Sequence, residues 1–141
     1  MSLKLISRVA LLHDNKILLV KNADRDFWSL PGGHCEWEIE SLKECACRQL
    51  LEETGIKANI SKILFVQEFN SKNNKIIEII WLATPKDHLD NILEIKQTDT
   101  DPESEIEQVK WFDFTDLNKI EVKPNQLLEL IKNQEITYIK S

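Results

Sequence analysis

The stretch GGHCEWEIESLKECACRQLLEETGI, from Gly32 to Ile56, decides the reading of the chain. A helix is predicted over residues 41–54: Ser41 is an N-cap, Glu44 completes a capping box three residues later, and Gly55 stands where a left-handed C-cap belongs. Within it Gln49, Glu52 and Glu53 fall at i, i+3 and i+4, so their side chains lie on one face. Two glutamates and an amide converging on one spot suit a hard divalent cation such as Mg2+, which takes a few carboxylates plus water and substrate phosphate. Just ahead, Pro31-Gly32-Gly33 offers bare backbone that can approach such an ion or a phosphate closely. Arg48 is one turn from both Glu44 and Glu52, within reach of an orienting i,i+4 pair.

Outside this stretch the chain reads as strands. Residues 3–13 and 16–21 form a predicted hairpin about Asp14-Asn15, and Phe27 to Leu30 is a short extended segment before Pro31. Ile60 to Phe69 and Lys75 to Ala83 read as two strands joined at Asn70 to Asn74. Residues 85–104 read as an acidic loop, Ile106 to Phe114 as a strand, and Pro124 as the opening of a helix with Leu127, Leu130 and Ile131 on one side. Strands before and after a capped helix give a mixed α/β class.

The chain has 141 residues, a size expected of one domain (1–141) with a core that needs no staple. A net charge of -6 argues against a nucleic-acid partner, which would call for a basic face. No apolar run approaches the roughly 18 residues of a membrane span, and the N-terminus lacks a signal-peptide layout. Cys35, Cys45 and Cys47, odd in number and without ligand-like spacing, fit a reducing, cytoplasmic setting. The three glycines, 32, 33 and 55, cannot supply a Walker loop or a GxGxxG turn.

The same stretch resembles the box of the Nudix (MutT-like) hydrolases, G-x5-E-x7-R-E-U-x-E-E-x-G-U, where U is bulky and apolar. Gly33, Glu40, Arg48, Leu50, Glu52, Glu53, Gly55 and Ile56 take its positions. Trp28-Ser29-Leu30-Pro31-Gly32 resembles the family's W-x-L-P-G lead-in, and Val109 to Phe112 its late strand. The resemblance implies an α/β/α sandwich with a mixed central sheet. It further implies Mg2+-dependent hydrolysis, with Mn2+ as the alternative ion, of a nucleoside diphosphate linked to another moiety by a monomer or homodimer.

Carried onto this chain, the resemblance gives Arg48, Gln49, Glu52 and Glu53 as catalytic positions, and Glu52, Glu53, the Gly32 carbonyl and Glu105 as metal ligands. Gly32, Gly33 and Arg25 are substrate-contact candidates, with Lys21 a further positional one. Two departures stand out. Six residues, not five, separate Gly33 from Glu40, and Gln49 replaces the glutamate that in many members binds metal or acts as base. An amide cannot accept a proton near neutral pH. Either a second carboxylate substitutes, from Glu53 or from the run Asp99, Asp101, Glu103, Glu105 and Glu107, or the chain is a catalytically weak nucleotide-binding or regulatory module. Plainer readings stand beside these: adjacent helical glutamates are commonly a solvated face, His34 a solvent-facing loop histidine, and the tryptophans core.

Overall fold

A computed structural model describes residues 1–86, 106–133 and 137–140 of the chain. Strand β1 (Ser2–His13) turns at Asp14 and Asn15, both at positive φ (48° and 59°), into β2 (Lys16–Asn22). Aspartate and asparagine tolerate this left-handed turn, whose twist matches that of paired strands. Then come β3 (Trp28–Ser29), β4 (Gly32–His34) and helix α1 (Leu42–Thr54). Strands β5 (Ala58–Ser71) and β6 (Asn74–Pro85) follow, their turn confined to Lys72-Asn73. It is tighter than the expected Asn70–Asn74 connection because Lys72 takes a positive φ of 53°. β7 (Ile106–Asp113), a 3-10 turn (Phe114–Lys119), β8 (Val122–Lys123), α2 (Leu127–Asn133) and β9 (Thr137–Lys140) complete the described elements. Helix α2 starts three residues later than Pro124 suggests, because Pro124 to Leu127 is a turn closed by the Leu127 amide on the Pro124 carbonyl.

The strands run in the order β8-β3-β2-β1-β6-β5-β9, with β4 added to β1 and β7 to β2. β1 runs parallel to β6 from Ser2 to Leu11, but at Leu12 and His13 it pairs antiparallel with β2. One long strand therefore serves two arms of a curled sheet, and parallel pairs (β1–β6, β3–β8, β5–β9) mix with antiparallel ones, as expected.

Alternation along the central strands separates two cores. Val9, Leu11 and Leu18 face Ala46 and Leu50 of α1, together with Ile56, Ala58 and Ala83. Ala10, Ile17 and Leu19 face the other way, onto Leu127, Leu130 and Ile131 of α2 with Phe65 and Ile80. Because successive strand residues point to opposite faces, the two helices lie on opposite sides of the sheet, which gives the α/β/α layering. A fully buried leucine such as Leu50 contributes roughly 2 kcal/mol of apolar transfer. No helix among the described residues is long and apolar enough to cross a membrane.

Candidate active site

Helix α1 is fixed at both ends. Ser41 Oγ accepts from the Glu44 amide and Glu44 Oε1 accepts from the Ser41 amide, each at 3.0 Å. Gly55, at φ 76°, donates to the Leu51 carbonyl at 2.8 Å. Ser7 Oγ donates to the Leu42 carbonyl at 2.6 Å and accepts from the Trp81 indole at 2.8 Å, joining the start of the helix to the sheet beneath it. With its ends held, the helix presents its acidic face in one orientation.

Its two adjacent glutamates have different surroundings. Glu53, only 6% exposed, accepts at 3.1 Å from the Gly32 amide, so a buried carboxylate is fastened to the glycine bend. Glu52, with its side chain 46% exposed, is held by Arg48 Nη1 at 3.3 Å. Arg48 grips Glu40 more tightly, Nε to Oε1 at 2.8 Å and Nη2 to Oε2 at 2.9 Å. The i−4 partner expected of Arg48, Glu44, is instead committed to the capping box, and Glu40 takes that place. The guanidinium holds the Glu40 carboxyl at about 2 against the upward push of burial, and Glu40 in turn raises Arg48 above its ordinary value.

The extra residue between Gly33 and Glu40 is taken up in a turn. The Ile39 and Glu40 amides donate to the Glu36 carbonyl at 2.9 and 3.1 Å, and the Glu36 amide donates to Glu40 Oε2 at 2.9 Å. Glu40 thus reaches Arg48 and Gly32 reaches Glu53 despite the insertion.

The bend needs its glycines for different reasons. Gly32 has φ 154°, and a Cβ there would lie 2.4 Å from the Ser7 carbonyl oxygen and 2.5 Å from Arg8 Cγ. A Cβ on Gly33 would lie 2.8 Å from the Gln49 amide. Gln49 packs on Gly33, next to the Gly32 amide that holds Glu53, and points Nε2 toward the His34 carbonyl at 3.5 Å. Cys45 is buried under the same bend, Sγ 3.7 Å from the Gly33 carbonyl, and burial pushes its thiol up.

Beside the bend opens a cavity of about 670 Å³, lined by Leu30 and His34 on the near side. An ion pair lies in its wall: Arg8 Nε to Glu78 Oε1 at 3.0 Å, with Gln67 Nε2 donating to Glu78 Oε2 at 2.7 Å. Arg8 Nη1 also donates to the Leu30 carbonyl at 3.0 Å, linking the cavity to the segment that carries Gly32. Burial, with Lys4 and Arg8 nearby, lowers His34 and favours its neutral form. His34 thus lines the cavity from β4, with its side chain largely toward solvent.

Of the other positions singled out in the sequence, Arg25 lines this cavity, whereas Lys21 sits on β2 opposite Gln108 and is not among the lining residues. Of the loop expected over 85–104, Pro85 instead ends β6, and residues 87–104, with Asp99, Asp101 and Glu103, lie outside the described residues, as does Glu105; Glu107 is exposed on β7. Trp28 packs edge-on against Phe112 at 4.8 Å as core, while Trp37 is exposed. Arg8, Gln67, Glu78 and Lys123 were not singled out. The available signal was a charge inside an otherwise apolar strand, Arg8 in LKLISRVALL and Glu78 in KIIEIIWLA, which marks a paired buried group. Among the described residues no group of three or more His, Cys, Asp or Glu side chains could enclose a metal ion by themselves.

A curled mixed sheet with an acidic, doubly capped helix laid against a glycine bend defines an α/β scaffold with a cavity adjoining the bend at Leu30 and His34. The chain belongs to the Nudix family: the NUDIX domain profile matches residues 4–133. Members of the family generally use divalent metal ions. Nudix hydrolase YvcI of Bacillus subtilis, itself uncharacterized, is 26% identical over 122 residues, covering 86% of this chain and 73% of that protein. An ADP-ribose pyrophosphatase of Methanocaldococcus jannaschii is 27% identical over 112 residues, covering 76% and 60%. Of several other curated relatives the chain spans between 12% and 50% of the length. The crystal structure of a MutT NUDIX hydrolase from Burkholderia pseudomallei superimposes with a TM-score of 0.72 at 24% identity, covering 92% of this chain and 98% of that one, a likeness of fold.

Proposed function

We propose that the chain hydrolyses a nucleoside diphosphate linked to another moiety, with Mg2+ held by Glu52, Glu53 and the Gly32 carbonyl, and Mn2+ as the alternative ion. The observation that carries this reading is Glu53: a carboxylate buried to 6% exposure and fastened by the Gly32 amide, beside a half-exposed neighbour that Arg48 holds. A solvated helix face needs neither the burial nor the clamp. The donors are all hard oxygens and too few to close a shell, which fits an ion that keeps several waters and takes substrate phosphate as a ligand. When bound, such an ion neutralises charge on the phosphate oxygens and lowers the pKa of the attacking water.

The remaining work belongs to side chains. Arg48, anchored on Glu40, fixes the direction of Glu52; the Gly32 amide does the same for Glu53. Gln49 holds the bend and takes no proton. The proton of the attacking water is assigned to a carboxylate, Glu53 or one from the run Asp99, Asp101, Glu103, Glu105 and Glu107, with Glu105 also kept as a candidate metal ligand. The ADP-ribose pyrophosphatase among the relatives supports ADP-ribose as a first substrate to try.

The amide at 49 supports a second reading, a module that binds nucleotide and turns it over poorly. General-base assistance is worth about 10²- to 10⁴-fold, so its loss would leave a slow enzyme. A panel of nucleotide sugars, ADP-ribose, dinucleoside polyphosphates and intact or damaged triphosphates, incubated with Mg2+ or Mn2+ and followed by chromatography for release of the nucleotide product and its sugar phosphate or pyrophosphate partner, separates the two. Metal-dependent, chelator-sensitive release supports hydrolysis; saturable binding without release supports the module; neither overturns both. In the same assay Gln49→Glu should raise turnover by at least about ten-fold if a base is missing, and leave it unaltered if one is supplied elsewhere.

A further inference from the structure

The cavity beside the bend has a charge pattern that the hydrolytic site does not use. Four charged residues line it: Arg8, Arg25, Lys123 and Glu78. Arg8 and Glu78 pair with each other, and Gln67 takes the second carboxylate oxygen. That leaves Arg25 and Lys123, both solvent-exposed at the mouth, and among the described residues neither forms a salt bridge. Asp24, Asp26 and Glu121 are near them in sequence, yet none of the three lines the cavity. The two cations come from separate segments, the connection between β2 and β3 and strand β8, and both lean on one ring. The Arg25 guanidinium lies 5.6 Å and the Lys123 ammonium 4.4 Å from the centre of Phe27. An aromatic face attracts cations and keeps both directed at the same opening. Asn125 and Gln126 add amide groups beside Lys123, while Ile6, Ile76 and Ile80 supply apolar wall.

Two cations without a salt-bridge partner among the described residues converge on one cavity, and an anion placed between them would be attracted by both. On the hydrolase reading the reacting diphosphate lies by Glu52, Glu53 and the glycine bend, which adjoins the cavity at Leu30 and His34. We propose that the substrate carries a second anionic group, a phosphate monoester on the moiety remote from the scissile diphosphate, and that Arg25 and Lys123 receive it over Phe27. This rests on the hydrolase reading for the placement of the diphosphate, and narrows the substrate class to nucleoside diphosphate derivatives phosphorylated at their far end. Arginine suits the role because its planar fork matches phosphate oxygens, and lysine adds a mobile point charge.

The test compares ADP-ribose with two probes bearing one extra phosphate monoester, on the adenosine ribose in one and on the distal ribose in the other. Calorimetric binding without divalent metal isolates the cavity from the helix carboxylates. One phosphorylated probe should bind at least about ten-fold more tightly than ADP-ribose, a ratio that salt weakens. In the Arg25→Gln/Lys123→Gln double variant the ratio should fall to about one, and Lys123→Arg, which keeps the charge, should preserve it. Equal binding of all three ligands by the unaltered protein overturns the proposal, as does a preference that survives in the double variant. Metal-dependent turnover of the same ligands is scored separately: a binding preference without turnover removes the hydrolase reading and leaves the anion subsite standing, and turnover without preference does the reverse.

Discussion

The helix–loop junction and the cavity wall touch at Leu30, yet they are built in opposite ways. At the junction, Arg48 reaches Glu40 and Glu52 eight and four residues away, and Glu53 reaches Gly32 across 21. In the cavity wall, Arg8 meets Glu78 across 70 residues and Gln67 meets the same carboxylate across 11. The junction is a local device that its own capped helix organises; the wall exists only once β1 and β6 have paired. On the proposed function, the chemistry that must keep one geometry would sit on the local element, and ligand selection where distant segments meet.

The sharpest way to break this contrast is at Glu53. Glu53→Gln retains the shape and the Gly32 contact but removes the charge, so metal-dependent turnover should drop by about 10²-fold or more while the melting temperature changes little. A variant with full activity would take Glu53 out of the metal site, and one that fails to fold would make the junction structural.

Next in size is the wall. Arg8→Met strands Glu78, whose side chain is 8% exposed, without its cation, and should cost about 3 kcal/mol in urea unfolding. Arg48→Met, at a side chain one-third exposed, should cost about 1 kcal/mol. Equal losses would erase the distinction between a solvated local clamp and a buried long-range pair.

The smallest effect is a pH dependence. Arg48 depresses Glu40 to about 2 in the folded chain from 4.5 when unfolded, so the stabilisation is fully present above about pH 4.5 and is lost as pH falls toward 2. Denaturation followed over that interval should show this acid-side decline, and Glu40→Gln should flatten part of it. An unaltered profile in the variant would mean the clamp contributes nothing to acid stability.

What could be read in advance follows the same division. The helix over 41–54, its capping box and its glycine stop are written within 15 residues, and each formed as read. The pairing of Glu53 with Gly32 is near enough in sequence to be anticipated from one helix and one bend. Of the two i,i+4 partners within reach of Arg48, Glu52 pairs with it, whereas Glu44 does not because the cap, holding two backbone amides, takes its carboxylate. Strand β9, parallel to β5, and the short strands β4 and β8 went unread because two to four residues carry no period; only their neighbours define them. The same applies to Lys123, which nothing local marks as a neighbour of Arg25 and Phe27.

The contact between Gly33 and the Gln49 amide bears on how this chain can change over generations. Any larger residue at 33 must displace the side chain at 49, so the two positions are tied in what substitutions they can accept. Glutamate, however, has the shape of glutamine, and their codons differ by a single nucleotide. An acid at 49 is therefore one step away in the gene and asks for no new space in the protein, which leaves the proton-accepting group at that position open to gain or loss without rebuilding its surroundings.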